Sequence, residues 1–125
     1  MDLKLSGRNI LINASHAAQI ARRLTNVLGP TLVSTLAGSN DTQASIRWAR
    51  QEGPSPSAEA ILRLECAEET WRKLSAVEGD DVARLWFIGA NPWLHEETAI
   101  TAIREGRFEQ VSVAVQALLD DSFSG

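Results

Sequence analysis

Two backbone breakers and one periodic stripe in the last third of the chain restrict that region to short helices. Residues 84–123 contain Asn91-Pro92, then an apolar stretch to Gly106, then Phe108, Val111, Val115 and Leu118. Pro92 lacks an N–H and holds the preceding residue in extended geometry, so a helix has to stop at Asn91. Gly106 supplies the left-handed residue that closes the next helix. Spacings of 3, 4 and 3 from Phe108 to Leu118 then place those side chains on one face of a final helix over 108–119. A helical unit this small buries little apolar surface alone. It therefore points to a partner surface, and to binding rather than catalysis.

The upstream punctuation is also mostly helical. Residues 3–12 alternate weakly through Leu3, Leu5 and Ile10-Leu11-Ile12, which predicts an extended arm or a short strand. Ser15 is placed to cap a helix to about residue 28, with Ala17, Ile20, Leu24 and Val27 on one face. Gly29-Pro30 ends it and starts a short helix over 31–37. Gly38-Ser39-Asn40 is a tight turn, and Asn40 or Asp41 caps a third helix to about residue 51. Gly53-Pro54-Ser55-Pro56-Ser57 is a loop rather than a flexible linker. A long helix follows over 57–77, striped by Ile61, Leu64, Ala67, Trp71, Leu74 and Val77. That stripe fits packing on its own domain, with a dimer seam as the alternative. Gly79-Asp80-Asp81 interrupts before a short helix ending near residue 90. The expected class is all-α, divided into an arm (1–14), a helix-turn-helix-like helical domain (15–78) and a small helical domain with a tail (79–125).

Composition narrows the function. At 125 residues the chain fits one domain, or two small helical subdomains sharing a core. A hydrophobic share of 44% argues against wholesale disorder. No apolar run approaches the roughly 18 residues a membrane span needs, and the start of the chain lacks the features of a signal peptide. Cys66 has no second cysteine to pair with, which suits a reducing compartment. A cytoplasmic, bacterial protein is the simplest expectation. Catalytic groups are sparse: His16, His95, one cysteine and no tyrosine. His95-Glu96-Glu97 resembles metal-binding text, but adjacent side chains point in different directions and no further His or Cys lies at ligand spacing. Glu68-Glu69 and Glu96-Glu97 fit solvated faces better than acid/base pairs, and no Gly-rich phosphate loop is present. The expectation is no enzyme, no metal and no cofactor.

Charge is unevenly divided. Residues 1–50 carry six basic and two acidic side chains, a net of +4; residues 51–125 carry six basic and fourteen acidic, a net of −8. Uneven charge is common in small domains, yet a basic half joined to an acidic half also fits two different partners. Within the basic half, residues 30–50 have the punctuation of a helix-turn-helix, whose second helix enters the major groove. That helix would present Thr42, Gln43, Ser45, Arg47 and Arg50 to phosphates or base edges. Trp48 would pack inward beside Ala44, with Ile46 helping to close the core.

Both halves together resemble the Xre/MbcA/ParS-type antitoxins, in which a degenerate helix-turn-helix precedes a small toxin-binding domain. Trp86 with Phe87-Ile88, then Asn91, Leu94, Ile100, Ile103, Gly106 and Val111 occur in the family's order and separations. This match covers about a third of the chain, and the helix-turn-helix ending in Arg47-Trp48 matches more loosely. Glu96 stands where many members have glycine, Ala99 where many have proline, and Ser45 where valine is more usual. The resemblance implies a RES-domain toxin as partner, which destroys NAD, with the antitoxin's C-terminal domain docked over it. The tail Asp120-Asp121-Ser122-Phe123-Ser124-Gly125 would reach the dinucleotide cleft, where basic side chains meet its carboxylates. Phe123 would fill an apolar part of the cleft or else pack locally in a frayed tail. Trp93 is a second anchor, and Leu94 and Phe108 complete the implied toxin-binding set. Trp86, Asn91 and Gly106 are expected to be structural.

Two functions from different classes remain. One is an antitoxin that also represses its own operon, homodimeric to match a twofold operator. The other is a stand-alone helix-turn-helix regulator whose C-terminal helices mediate dimerisation or another protein contact.

Overall fold

Glycine and proline set most of the helix boundaries. The structure, a computed structural model, describes the backbone of residues 2–124 and the side chains of residues 15–121. Seven α-helices and one 3-10 turn appear among the described residues, with no strand. They are α1 (Asp2–Leu28), α2 (Pro30–Leu36), α3 (Ala44–Arg50), α4 (Ala58–Glu78), α5 (Asp80–Ile88), the 3-10 turn Pro92–Leu94, α6 (Ala99–Arg104) and α7 (Phe108–Ser124). The class is all-α. A single antiparallel bridge, Asn91 with Glu97, closes the loop around the 3-10 turn.

Several ends are built as their residues require. Ser57 caps α4 by accepting a hydrogen bond from the Ala60 N–H at 3.1 Å. Gly106 adopts φ +76 after α6. There the Arg107 N–H donates to Ala102 O and the Gly106 N–H to Ile103 O, both at 2.9 Å, the paired closure that a left-handed glycine permits. Gly38, at φ +97, ends α2 in the same way, with Ser39 N–H on Ser34 O and Gly38 N–H on Thr35 O.

Three expectations change. Residues 3–12 are the first turns of α1, not an extended arm, and Ser15 lies within that helix rather than at its cap. No proline interrupts 2–28, and the single Gly7 costs a helix only about 1 kcal/mol. The start of α3 differs too: its cap is Gln43, whose own side chain makes no capping bond. Asp41 acts one step earlier, its Oδ1 accepting from the Gln43 N–H at 2.9 Å. Ser34 of α2 serves the first turn of α3 across the turn, its Oγ accepting from the Ser45 N–H at 3.0 Å.

The core is one cluster. It runs from Ile20 and Leu24 of α1 through Val33 and Leu36, Leu64 and Leu74, Phe87, Leu94, Ile100 and Ile103 to Val111, Val115 and Leu119. Helix α4 is the hub, touching α1, α2, α5, α6 and α7. Its buried stripe is Ala60, Leu64, Ala67, Thr70 and Leu74. Ile61 and Trp71 flank that stripe half-buried, and Val77 is exposed. Phe87 is fully buried, with the Trp86 ring edge-on at 5.8 Å and Trp71 at 6.3 Å. Two arginines tie the turn after α2 to later helices. Arg63 of α4 donates to Ala37 O at 3.3 Å. Arg104 of α6 donates to Thr35 O at 2.6 Å, Ser39 O at 3.1 Å and Asn40 Oδ1 at 2.9 Å. The stretches 15–78 and 79–121 therefore share both a core and a polar clasp.

Candidate functional site

The 3-10 turn holds two neighbouring side chains in opposite environments. Asn91 sits in extended geometry, φ −130 and ψ 120, and its Oδ1 accepts from the Trp93 N–H at 2.9 Å. Its carbonyl receives the N–H groups of Leu94 and Glu96, each at 2.9 Å, and its own N–H donates to Glu97 O at 3.1 Å. Asn91 is thus structural, as expected, because one residue satisfies four backbone groups of a seven-residue loop. His95 and Glu96 follow with φ +58 and +66, a left-handed pair that lets the chain reverse into α6. Arg107 pins the far side of the loop by ion pairs to Glu97 and Glu105.

Leu94 points inward and Trp93 outward. Leu94 is fully buried, whereas Trp93 is 61% exposed. This corrects the expectation that Leu94 contacts a partner: it is a core residue that anchors the turn. Trp93 lies against α7, where it lines an open groove of about 400 Å³ with Val113, Gln116, Ala117, Asp120 and Asp121. Three of the expected contact residues, Trp93, Asp120 and Asp121, are therefore brought together. Two of the lining residues are acidic and, among the described residues, none is basic. Gln116 Nε2 donates to Asp120 Oδ1 at 2.8 Å, fixing that carboxylate against its own helix. Phe108 is elsewhere. It is half-buried on a different face of α7, beside Cys66, Thr70 and Val115. The side chains of Ser122, Phe123 and Ser124, and Gly125 itself, lie outside the described residues.

Val113, Gln116 and Ala117 were missed by the sequence reading. Val113 carried a usable signal: it is apolar, yet it falls off the Phe108–Leu118 stripe, and it is 50% exposed. A second apolar face has the same character, Val82, Leu85 and Ile88 at spacings of three along α5.

The basic candidates divide differently. Thr42, Gln43 and Arg50 are exposed, and Arg47 is partly so. Gln43, Arg47 and Arg50, spaced 4 and 3, share a face of α3. Ser45 does not join them. It is fully buried, accepting from Thr25 Oγ1 at 3.1 Å and donating to Pro30 O at 3.4 Å. A small hydroxyl at a crowded helix crossing belongs to packing, which corrects the expectation that Ser45 contacts DNA. Arg47 pairs with Asp41. The Gln43 N–H, and after it the Arg47 guanidinium, hold the Asp41 carboxyl below the usual carboxylate range.

Among the described residues no three His, Cys, Asp or Glu side chains converge as metal ligands. No helix there is long and apolar enough to cross a membrane. Burial pushes the Cys66 thiol up to about 11, against an opposing hydrogen bond with Thr70, so it is a poor nucleophile near neutral pH. No family model, curated protein or solved structure matches the chain.

Proposed function

We propose that this protein is the antitoxin of a type II toxin–antitoxin pair. In this reading, residues 79–125 cover the active-site cleft of a NAD-degrading RES-domain toxin, and α2 with α3 binds operator DNA. The observation that carries it is the exposed Trp93 held by a stiff turn beside Asp120 and Asp121. An aromatic anchor with an acidic rim suits docking at the mouth of a basic cleft. The loop adds support. Glu96, which stands where many members of the resembled family carry glycine, has φ +66, a geometry that favours glycine. Ala99, where many carry proline, is the first residue of α6, a position that proline tolerates.

The test is co-expression with the product of the adjacent gene, followed by co-purification and an NAD assay. The chain should hold NAD constant in cells expressing the toxin, and removing residues 122–125 should impair that protection without loss of folding. A chain that leaves its NAD-degrading neighbour fully active at saturating excess would refute the reading.

A stand-alone DNA-binding regulator is the second reading, favoured by the shared Gln43, Arg47 and Arg50 face. Arg47→Ala with Arg50→Ala should weaken operator retardation at physiological salt and lower the salt dependence by about one unit per arginine. Unchanged retardation would remove the DNA contact from both readings.

A further inference from the structure

The groove between the 3-10 turn and α7 has a chemistry more specific than an apolar docking patch. It is lined by the aromatic Trp93, the apolar Val113 and Ala117, the amide Gln116 and the carboxylates Asp120 and Asp121. Trp93 and Val113 are 61% and 50% exposed. An apolar peptide would leave two carboxylates facing hydrocarbon, which is costly. A lysine would satisfy the carboxylates but use the indole poorly, because its charge is compact and strongly hydrated. Arginine fits every wall. Its methylene stem covers Val113 and Ala117, its planar head stacks on an indole, and its N–H groups bond a carboxylate in pairs.

We propose that this groove is a docking slot for an arginine side chain presented by a partner protein, with Trp93 as the stacking face and Asp121 as the principal counter-charge. The inference rests on reading residues 79–125 as a docking unit, and it names what that unit grips. Two features prepare the slot. The Trp93 backbone is fixed by its N–H bond to Asn91 Oδ1 and by the buried Leu94 next to it, so the segment that carries the indole is already in place when a ligand stacks. The Asp120 carboxylate is already oriented by Gln116.

The test is a titration of the isotope-labelled full chain, followed by NMR, with Nα-acetyl-arginine amide and with its neutral citrulline counterpart. Saturable shifts of the Trp93 indole N–H and the Val113 and Ala117 amides with arginine, and none with citrulline, are expected. Asp121→Asn and Trp93→Ala should each weaken that binding about two- to fivefold. Both residues are exposed, so the fold should survive, which the unchanged remainder of the spectrum checks. Equal shifts with citrulline, or none with arginine, overturn the proposal. Shifts of the same resonances on raising protein concentration without probe assign the slot to a second copy of this chain, and also overturn it. The antitoxin reading fails separately. Arginine binding without toxin neutralisation leaves the slot standing, whereas neutralisation undiminished by Trp93→Ala removes the slot from the complex.

Discussion

Ser34 is the residue whose loss α3 should feel most. Its hydroxyl accepts from the Ser45 N–H at 3.0 Å and donates to Thr42 O at 3.2 Å, in a site with no solvent exposure. Ser34→Ala leaves a buried N–H in the first turn of α3 without its partner. A loss of about 1–3 kcal/mol is expected, seen as a lower melting temperature by calorimetry. A melting temperature equal to that of the parent would show that water replaces the hydroxyl. Cys66 sets a pH dependence. Burial pushes its native thiol up to about 11 from an ordinary value of 9.0. Between those values the unfolded chain has released a proton that the native chain keeps, so stability falls as pH rises through this window. Denaturant midpoints measured from pH 8 to 11 should therefore decline, and Cys66→Ala should flatten the decline.

At the level of elements, the reversal after the 3-10 turn carries backbone strain. Two consecutive non-glycine residues, His95 and Glu96, hold positive φ. Such a conformation costs an L-residue roughly 1–2 kcal/mol, and glycine escapes most of it. Glu96→Gly should raise stability by up to about 1 kcal/mol, the gain being offset by the greater freedom of glycine in the unfolded chain. Chemical denaturation with an unchanged slope would report it, and a destabilised variant would mean that Glu96 makes a compensating contact. For the same reason Gly106 and Gly38 terminate helices cleanly: each takes the left-handed geometry in which two orphan carbonyls find donors.

For the whole molecule, the shared core predicts one unfolding transition. Leu64 and Leu74 of α4 belong to the same buried cluster as Phe87, Ile103 and Val111. A fragment of residues 1–78 therefore exposes half an interior and should fail to give a dispersed NMR spectrum. Arg104 tests the polar clasp. Replacing it by methionine keeps the stem but removes the donors to Thr35 O, Ser39 O and Asn40 Oδ1. About 1.5–3 kcal/mol of stability should be lost, with the transition remaining single. Two separated transitions in the variant would mean that the clasp, and not the core, joins the halves.

Local chemistry settled much of this in advance. Pro92, Gly106, Gly29-Pro30 and Ser57 act through their own backbone geometry or one nearby N–H, so the helix boundaries they control were legible residue by residue. The all-α class and the stripes of α1 and α7 followed from periodicity, which depends only on helix pitch. What sequence left open needed partners distant along the chain. Ser45 presents the same hydroxyl whether it faces DNA or Pro30 O, and only the crossing of α3 over α1 and α2 buries it. Leu94 and Trp93 are adjacent apolar residues, and the Asn91 bonds decide which one turns inward. The groove joins residue 93 to residues 113–121, a neighbourhood created by packing α7 against the 3-10 turn. Helix boundaries are set by forces that act within a few residues, whereas exposure is a property of the assembled core.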